Sequence, residues 1–145
     1  MRKQIVVESF VGATYFKCEV PWACISIATE EDKWPVISGA NRVEWLQLAF
    51  ADIRFPDPTC SKTVFDDGRA RRILDFVKDV WDRIDLLFVH CEAGTSRSPA
   101  VAAAISRICY GDDGPFMLPH LYEPNLLVYR KLLEVAEQRG EYSSQ

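Results

Sequence analysis

Strand-like and helix-like segments alternate along this chain, which predicts an α/β fold: a single three-layer domain with a central, mostly parallel sheet flanked by helices. Three observations carry that reading. Trp22–Ala28 (WACISIA) and Leu86–His90 (LLFVH) are continuous apolar runs of strand length, the pattern of strands buried on both faces. Ala70, Ile73, Leu74, Val77, Trp81 and Ile84 recur at i, i+3, i+4 and i+7, one face of an amphipathic helix. Pro99–Cys109 (PAVAAAISRIC) is apolar nearly all round, as a helix buried among other elements must be. The length, 145 residues, is that of one domain with a core that needs no disulfide staples.

In chain order, Gln4–Val7 is a β-branched run suited to a first buried strand, and Ser9–Phe16 fits either a short helix or a loop. Trp22–Ala28 lies between Pro21 and the polar Thr29–Lys33 and forms the second strand; Glu30-Glu31-Asp32 reads as a solvated turn. Trp45–Phe50 (WLQLAF) is a third strand. The stretch Ala51–Phe65 holds Pro56 and Pro58, which cannot continue a central strand, so it is a long loop of the kind that forms lids and binding sites. Asp66 or Asp67 is placed to cap the amphipathic helix. Leu86–His90 follows as a buried strand, then the alanine-rich helix stopped by Gly111. A last helix spans about Pro124 to Arg139, with Leu126, Tyr129, Leu133 and Ala136 as its apolar stripe and Gly140 as its end.

Charge and composition remove several classes. A net charge of −4 argues against a nucleic-acid partner, and no apolar run reaches the length of a membrane span. The amino end has only Ile5-Val6-Val7 before Glu8, too short for the apolar core of an export signal. Five cysteines, without a C-x-x-C pair, and two histidines do not make a metal-ligand rhythm; reduced thiols in a cytoplasmic, monomeric protein without metal or cofactor are expected. Trp22, Trp45 and Trp81 read as core, Trp34 as near the mouth of a site, His120 as a loop residue and Cys60 as a free surface thiol or a redox partner for Cys91.

The chemistry concentrates where LLFVH runs through Cys91-Glu92-Ala93-Gly94-Thr95-Ser96-Arg97-Ser98 into the alanine-rich helix. A tight loop feeding a helix start gathers backbone N–H groups in one concavity, with the helix dipole adding positive potential. Gly94 allows a conformation that a side chain would obstruct. Arg97 offers a planar fork for two oxygens of a phosphate. A cysteine in such a cradle is a nucleophile aimed at phosphorus.

His90-Cys91-x5-Arg97-Ser98 resembles the signature of the cysteine-dependent protein tyrosine phosphatases, and HCEAGTSRS is most similar to their dual-specificity branch, including small bacterial and phage-type members. LQLAFAD, ILDFV and Pro124-Asn125 extend the resemblance over roughly residues 20–135. It implies a protein tyrosine phosphatase-like fold over the whole chain, 1–145, with a catalytic loop at 90–98, an acid loop within 51–65 and a frayed tail from about 141 to 145. It further implies that Cys91 attacks phosphorus, that Glu92, Ala93, Gly94, Thr95, Ser96 and Arg97 hold the phosphate, and that Ser98 steadies the thiolate as leaving group. His90 would support the loop, in part by acidifying the Cys91 thiol, and the Asn125 amide would brace it or simply begin a helix. The partners are then a phosphorylated protein or peptide and inorganic phosphate.

The general acid is Asp52 on the strand match, or Asp57 in Phe55-Pro56-Asp57, which is similar to the Trp-Pro-Asp loop of the larger tyrosine phosphatases. Low-molecular-weight phosphatases carry their loop at the amino end, and rhodanese-like domains have a shorter cysteine-to-arginine spacing, so neither fits. A phosphate-binding pseudophosphatase and a phosphatase of phosphoinositides or RNA ends stay open as alternatives. Glu92 and the lack of Lys or Arg at 92–96 disfavour a polyanionic head group.

Overall fold

The computed structural model describes residues 2–144. Four strands, β1 (Gln4–Glu8), β2 (Trp22–Ala28), β3 (Arg42–Ala49) and β4 (Leu86–His90), form one sheet in the order β1-β4-β2-β3, every pair parallel. Period-two alternation divides each central strand between two cores. Ala23, Ile25 and Ile27 of β2 and Leu87 and Val89 of β4 face the larger core, built with α2 (Asp67–Val80), α3 (Arg97–Tyr110) and α4 (Leu126–Gln138). Trp22, Cys24, Leu86 and Phe88 face a smaller one, closed by Ala13 of α1 (Phe10–Thr14) and by Ile37, with Phe16 stacked on Phe88.

The ambiguous Ser9–Phe16 segment contains a one-turn helix, because Ser9 Oγ accepts from Gly12 N and caps it. β3 starts at Arg42, three residues before the predicted Trp45, and ends at Ala49. Asp66 is the cap of α2. The run through Trp81 leaves the α-helix for a 3-10 turn over Trp81–Arg83 before Ile84.

α3 buries every residue from Arg97 to Ser106, and its alanines let it lie close to both sheet and α4. Gly111, at φ 72°, ends it.

Two expectations about the carboxyl end are corrected. Pro124 precedes α4, and Asn125 is the cap, so the buried stripe is Val128, Leu132, Val135 and Ala136, while Leu126 is 42% exposed. Residues 141–144 are not free: Glu141 N donates to Ala136 O, and Tyr142 Oη accepts from Arg107 Nε. Gln145, the end of the expected tail, lies outside the described residues. Among those described, no helix is long and apolar enough to cross a membrane.

Candidate active site

In a parallel sheet every strand delivers its carboxyl end to the same edge, and here that edge holds the site. β4 ends at His90 and hands over to Cys91, β2 to Thr29, and β3 to Phe50 and then Asp52. Thr29, Asp52, Lys62, Cys91, Glu92 and Arg97 are among the residues around one cavity of about 310 Å³.

Cys91 is 2% exposed, at the floor. Its Sγ accepts from Gly94 N at 3.3 Å and Ser98 N at 3.4 Å, and lies 3.1 Å from Ser98 Oγ. Two backbone N–H groups on one sulfur are what a loop wrapped round a helix start produces. Ser96, the N-cap of α3, does not cap it with its hydroxyl, and no acidic side chain occupies the first turn. The positive end of the helix is therefore left for an anion.

Gly94 holds φ +74°, and a Cβ there would stand 2.7 Å from Ser9 N and 2.9 Å from Glu8 C. The loop is thus pressed against the end of β1, where Phe10 N donates to Glu92 O and Cys91 N to Glu8 O.

Arg97 is buried and aimed by two acceptors: Nη1 donates to Phe50 O at 2.7 Å and to Thr29 Oγ1 at 3.0 Å. Nε and Nη2, the other edge of the guanidinium, remain as a fork for two oxygens. Thr29 Oγ1 in turn donates to Glu92 Oε1 at 3.4 Å.

His90 lies below the loop, paired across β2 with Ser26. Trp45 Nε1 donates to Ser26 Oγ at 2.7 Å, and Cys91 O faces His90 Nδ1 at 3.4 Å. Indole can only donate and a carbonyl only accept, so Nδ1 carries the hydrogen and Nε2 accepts from Ser26 Oγ at 2.6 Å. Burial pushes the imidazole down to about 4, so it is neutral at pH 7. The expectation that His90 acidifies the thiol fails on this ground: it braces the loop and brings no charge.

The loop after β3 is closed at its base by Ala51 N donating to Thr63 O at 2.8 Å, with the Phe50 and Phe65 rings 4.9 Å apart. Asp52 sits inside the closure. Its Oδ1 accepts from Asn125 Nδ2 at 2.7 Å and from Ser96 Oγ at 2.8 Å. Asp57 lies farther out on the exposed proline segment and is not among the residues lining the cavity. It accepts from Thr59 Oγ1 and Thr59 N, and these bonds hold its carboxyl below the usual carboxylate range.

Asn125 starts α4, its Oδ1 accepting from Leu127 N and Val128 N, while its Nδ2 reaches Asp52 and Ile53 O rather than the catalytic loop. Its side-chain amide braces the acid loop, and its backbone N–H braces the catalytic loop at Ser96 O. His120 lines a neighbouring cavity with Asp52, and Trp34 another with Thr29 and Glu92. Cys60 is unpaired with any other thiol.

Four participants lie outside the residues the sequence marks: Thr29, Ser26, Lys62 and Arg54. Thr29 follows a strand at the carboxyl edge, a place where the sheet rule points. Nothing in the spacing marks Arg54.

No protein-family model matches the chain, and no curated protein does. Solved structures do. The human tyrosine phosphatase-like serine/threonine/tyrosine-interacting protein superposes with a TM-score of 0.65 at 15% identity, over 94% of this chain and 93% of its own. Human DUSP28 gives 0.60 at 16% identity, over 96% and 95%. PTPMT1, solved in complex with PI(5)P, gives 0.52 at 16% identity, over 82% and 81%. The parallel sheet, the order of its parts and these superpositions agree: the chain has a protein tyrosine phosphatase-like fold.

Proposed function

We propose that this chain is a phosphomonoester hydrolase of the protein-tyrosine or dual-specificity type, working through a phosphocysteine intermediate on Cys91. The observation that carries the reading is the convergence of Gly94 N–H, Ser98 N–H and the Ser98 hydroxyl on Cys91 Sγ beneath a cavity that Arg97 lines. The Cys91 thiolate attacks phosphorus, forming the P–S bond as the ester P–O bond breaks. The loop amides of residues 92–97 and the Arg97 fork take up the three equatorial oxygens. Asp52 gives its proton to the departing oxygen, then takes one from the water that attacks phosphorus and releases the thiolate. Ser98 Oγ donates to that thiolate as it leaves. Nucleophile, oxyanion clamp and acid are all supplied by side chains and backbone amides of this chain, so no metal is called for.

Asp52 is preferred over Asp57 because it lines the cavity, whereas Asp57 is turned into its own exposed turn by the bonds from Thr59. The cavity sets Asp52 and Glu92 against Lys62 and Arg97, a balance that suits one phosphate on a polypeptide better than a multiply phosphorylated head group. The test is turnover of a nitrophenyl-type phosphate and a phosphotyrosine peptide without added metal. Wild type should turn both over, and Cys91→Ser should abolish turnover while calorimetry still detects bound inorganic phosphate. Phosphate binding without wild-type turnover would instead make this a recognition module. Wild-type-like hydrolysis by Cys91→Ser would overturn the mechanism.

A further inference from the structure

Arg54 lies two residues beyond Asp52 and makes no contact that the mechanism above uses. Its Nη2 donates to Ser96 Oγ at 2.9 Å and to Glu123 O, and its Nη1 donates to Pro124 O at 3.3 Å. We infer that Arg54 is a positioning residue for proton transfer: it fixes the Ser96 hydroxyl as a donor to Asp52 and thereby places the transferable proton of Asp52 on Oδ2. The inference rests on the reading of Asp52 as general acid and deepens it.

A guanidinium only donates, so Ser96 Oγ spends a lone pair on Arg54. The single hydrogen of that hydroxyl is then free for one acceptor, and Asp52 Oδ1 stands 2.8 Å away. Donation from a cation strengthens the hydroxyl as a donor in turn. Asn125 supplies a second hydrogen to the same atom, and its amide cannot be flipped, because its own oxygen is held by Leu127 N and Val128 N. Oδ1 therefore faces two hydrogens. A proton on Oδ1 would oppose both, whereas one on Oδ2 opposes neither.

Without Arg54, Ser96 can turn its hydrogen elsewhere and Oδ1 keeps only the Asn125 contact. The same arginine ties three segments together, since Glu123 N donates to Thr95 O and Asn125 N to Ser96 O beside it. The other titratable groups around Asp52 are Lys62, Cys91, Glu92 and Arg97 on one cavity, and His120 and Glu123 on the neighbouring one, with Tyr122.

Arg54→Ala, Arg54→Lys and Ser96→Ala test this, each alone and in an Asp52→Asn background, with kcat and KM measured on a phosphotyrosine peptide and an activated nitrophenyl-type ester. Arg54→Ala should lower kcat on the peptide roughly tenfold or more, with the activated ester and KM little changed, since only the poor leaving group needs the proton. Arg54→Lys should recover part of the loss, and Ser96→Ala should reproduce the leaving-group dependence with Arg54 in place. In the Asp52→Asn background Arg54→Ala should add less than about twofold. Equal losses in both backgrounds, or on both substrates, would overturn the inference while leaving Asp52 as the acid.

A wild type without turnover would defeat the proposed function instead. A crystal structure of Arg54→Ala would then still decide the matter, since a Ser96 hydroxyl that keeps its place 2.8 Å from Asp52 Oδ1 overturns the inference.

Discussion

Asp52 Oδ1 accepts the side-chain amide of Asn125 at 2.7 Å, joining the loop after β3 to the cap of α4 across 73 residues of sequence. The same asparagine that starts the last helix therefore also aims the candidate acid.

That link separates the two candidate aspartates by experiment. A general acid matters when the departing oxygen is a poor leaving group and little when the oxyanion is already stable. Asp52→Asn should slow phosphotyrosine hydrolysis by about 10²–10⁴-fold, spare an activated nitrophenyl-type ester far more, and erase the basic limb of the pH–rate profile. Asp57→Asn should leave all three near wild type. If Asp57→Asn shows the pattern instead, the acid loop is Phe55-Pro56-Asp57 and must move inward when substrate binds.

Much of this was readable from local sequence. Trp22–Ala28 and Leu86–His90 matched their strands residue for residue, because strands buried on both faces leave an unbroken apolar run that polar residues bound sharply. β3 was less legible: Arg42 to Glu44 carry polar and half-buried side chains, since only one neighbouring strand covers that edge. In α4 the expected Tyr129, Leu133 and Ala136 do face the core, but Leu126 is exposed because Asn125 caps the helix just before it, and Val128, Leu132 and Val135 supply the rest of the buried face. At the site, Cys91, Gly94 and Arg97 announce themselves by sitting between a strand and a helix. Thr29 and Arg54 act through contacts 68 and 42 residues away, a relation that only the folded sheet edge creates.

Gly94 offers a test of the cradle that does not touch its chemistry. In Gly94→Ala the new methyl meets backbone atoms of Glu8 and Ser9 under 3.0 Å, and φ +74° is strained for any L side chain. Left-handed backbone alone costs roughly 1–2 kcal/mol, and the clash with β1 adds to it. Urea denaturation should show a loss above about 2 kcal/mol, with phosphate affinity falling in the fraction that remains folded. Wild-type stability together with wild-type phosphate binding would mean that the loop does not adopt this conformation. Gly111→Ala is the control: it shares the positive φ but has nothing within 4 Å, so it should suffer the strain alone and keep phosphate binding.

The last expectation concerns His90, whose burial holds it at about 4 against an ordinary 6.5. A folded state that resists protonation binds fewer protons than the unfolded chain between about pH 6.5 and about pH 4. Its stabilising share is therefore complete above about 6.5, is lost as pH falls toward about 4, and changes no further below that. Between pH 7 and pH 5 the wild type should lose about 2 kcal/mol relative to His90→Gln, whose amide can keep a bond to Ser26 but does not titrate. Urea denaturation of both proteins at the two pH values measures it. Parallel losses would mean that His90 is already solvated in the folded protein. They would also remove the physical basis for a neutral imidazole under the catalytic loop.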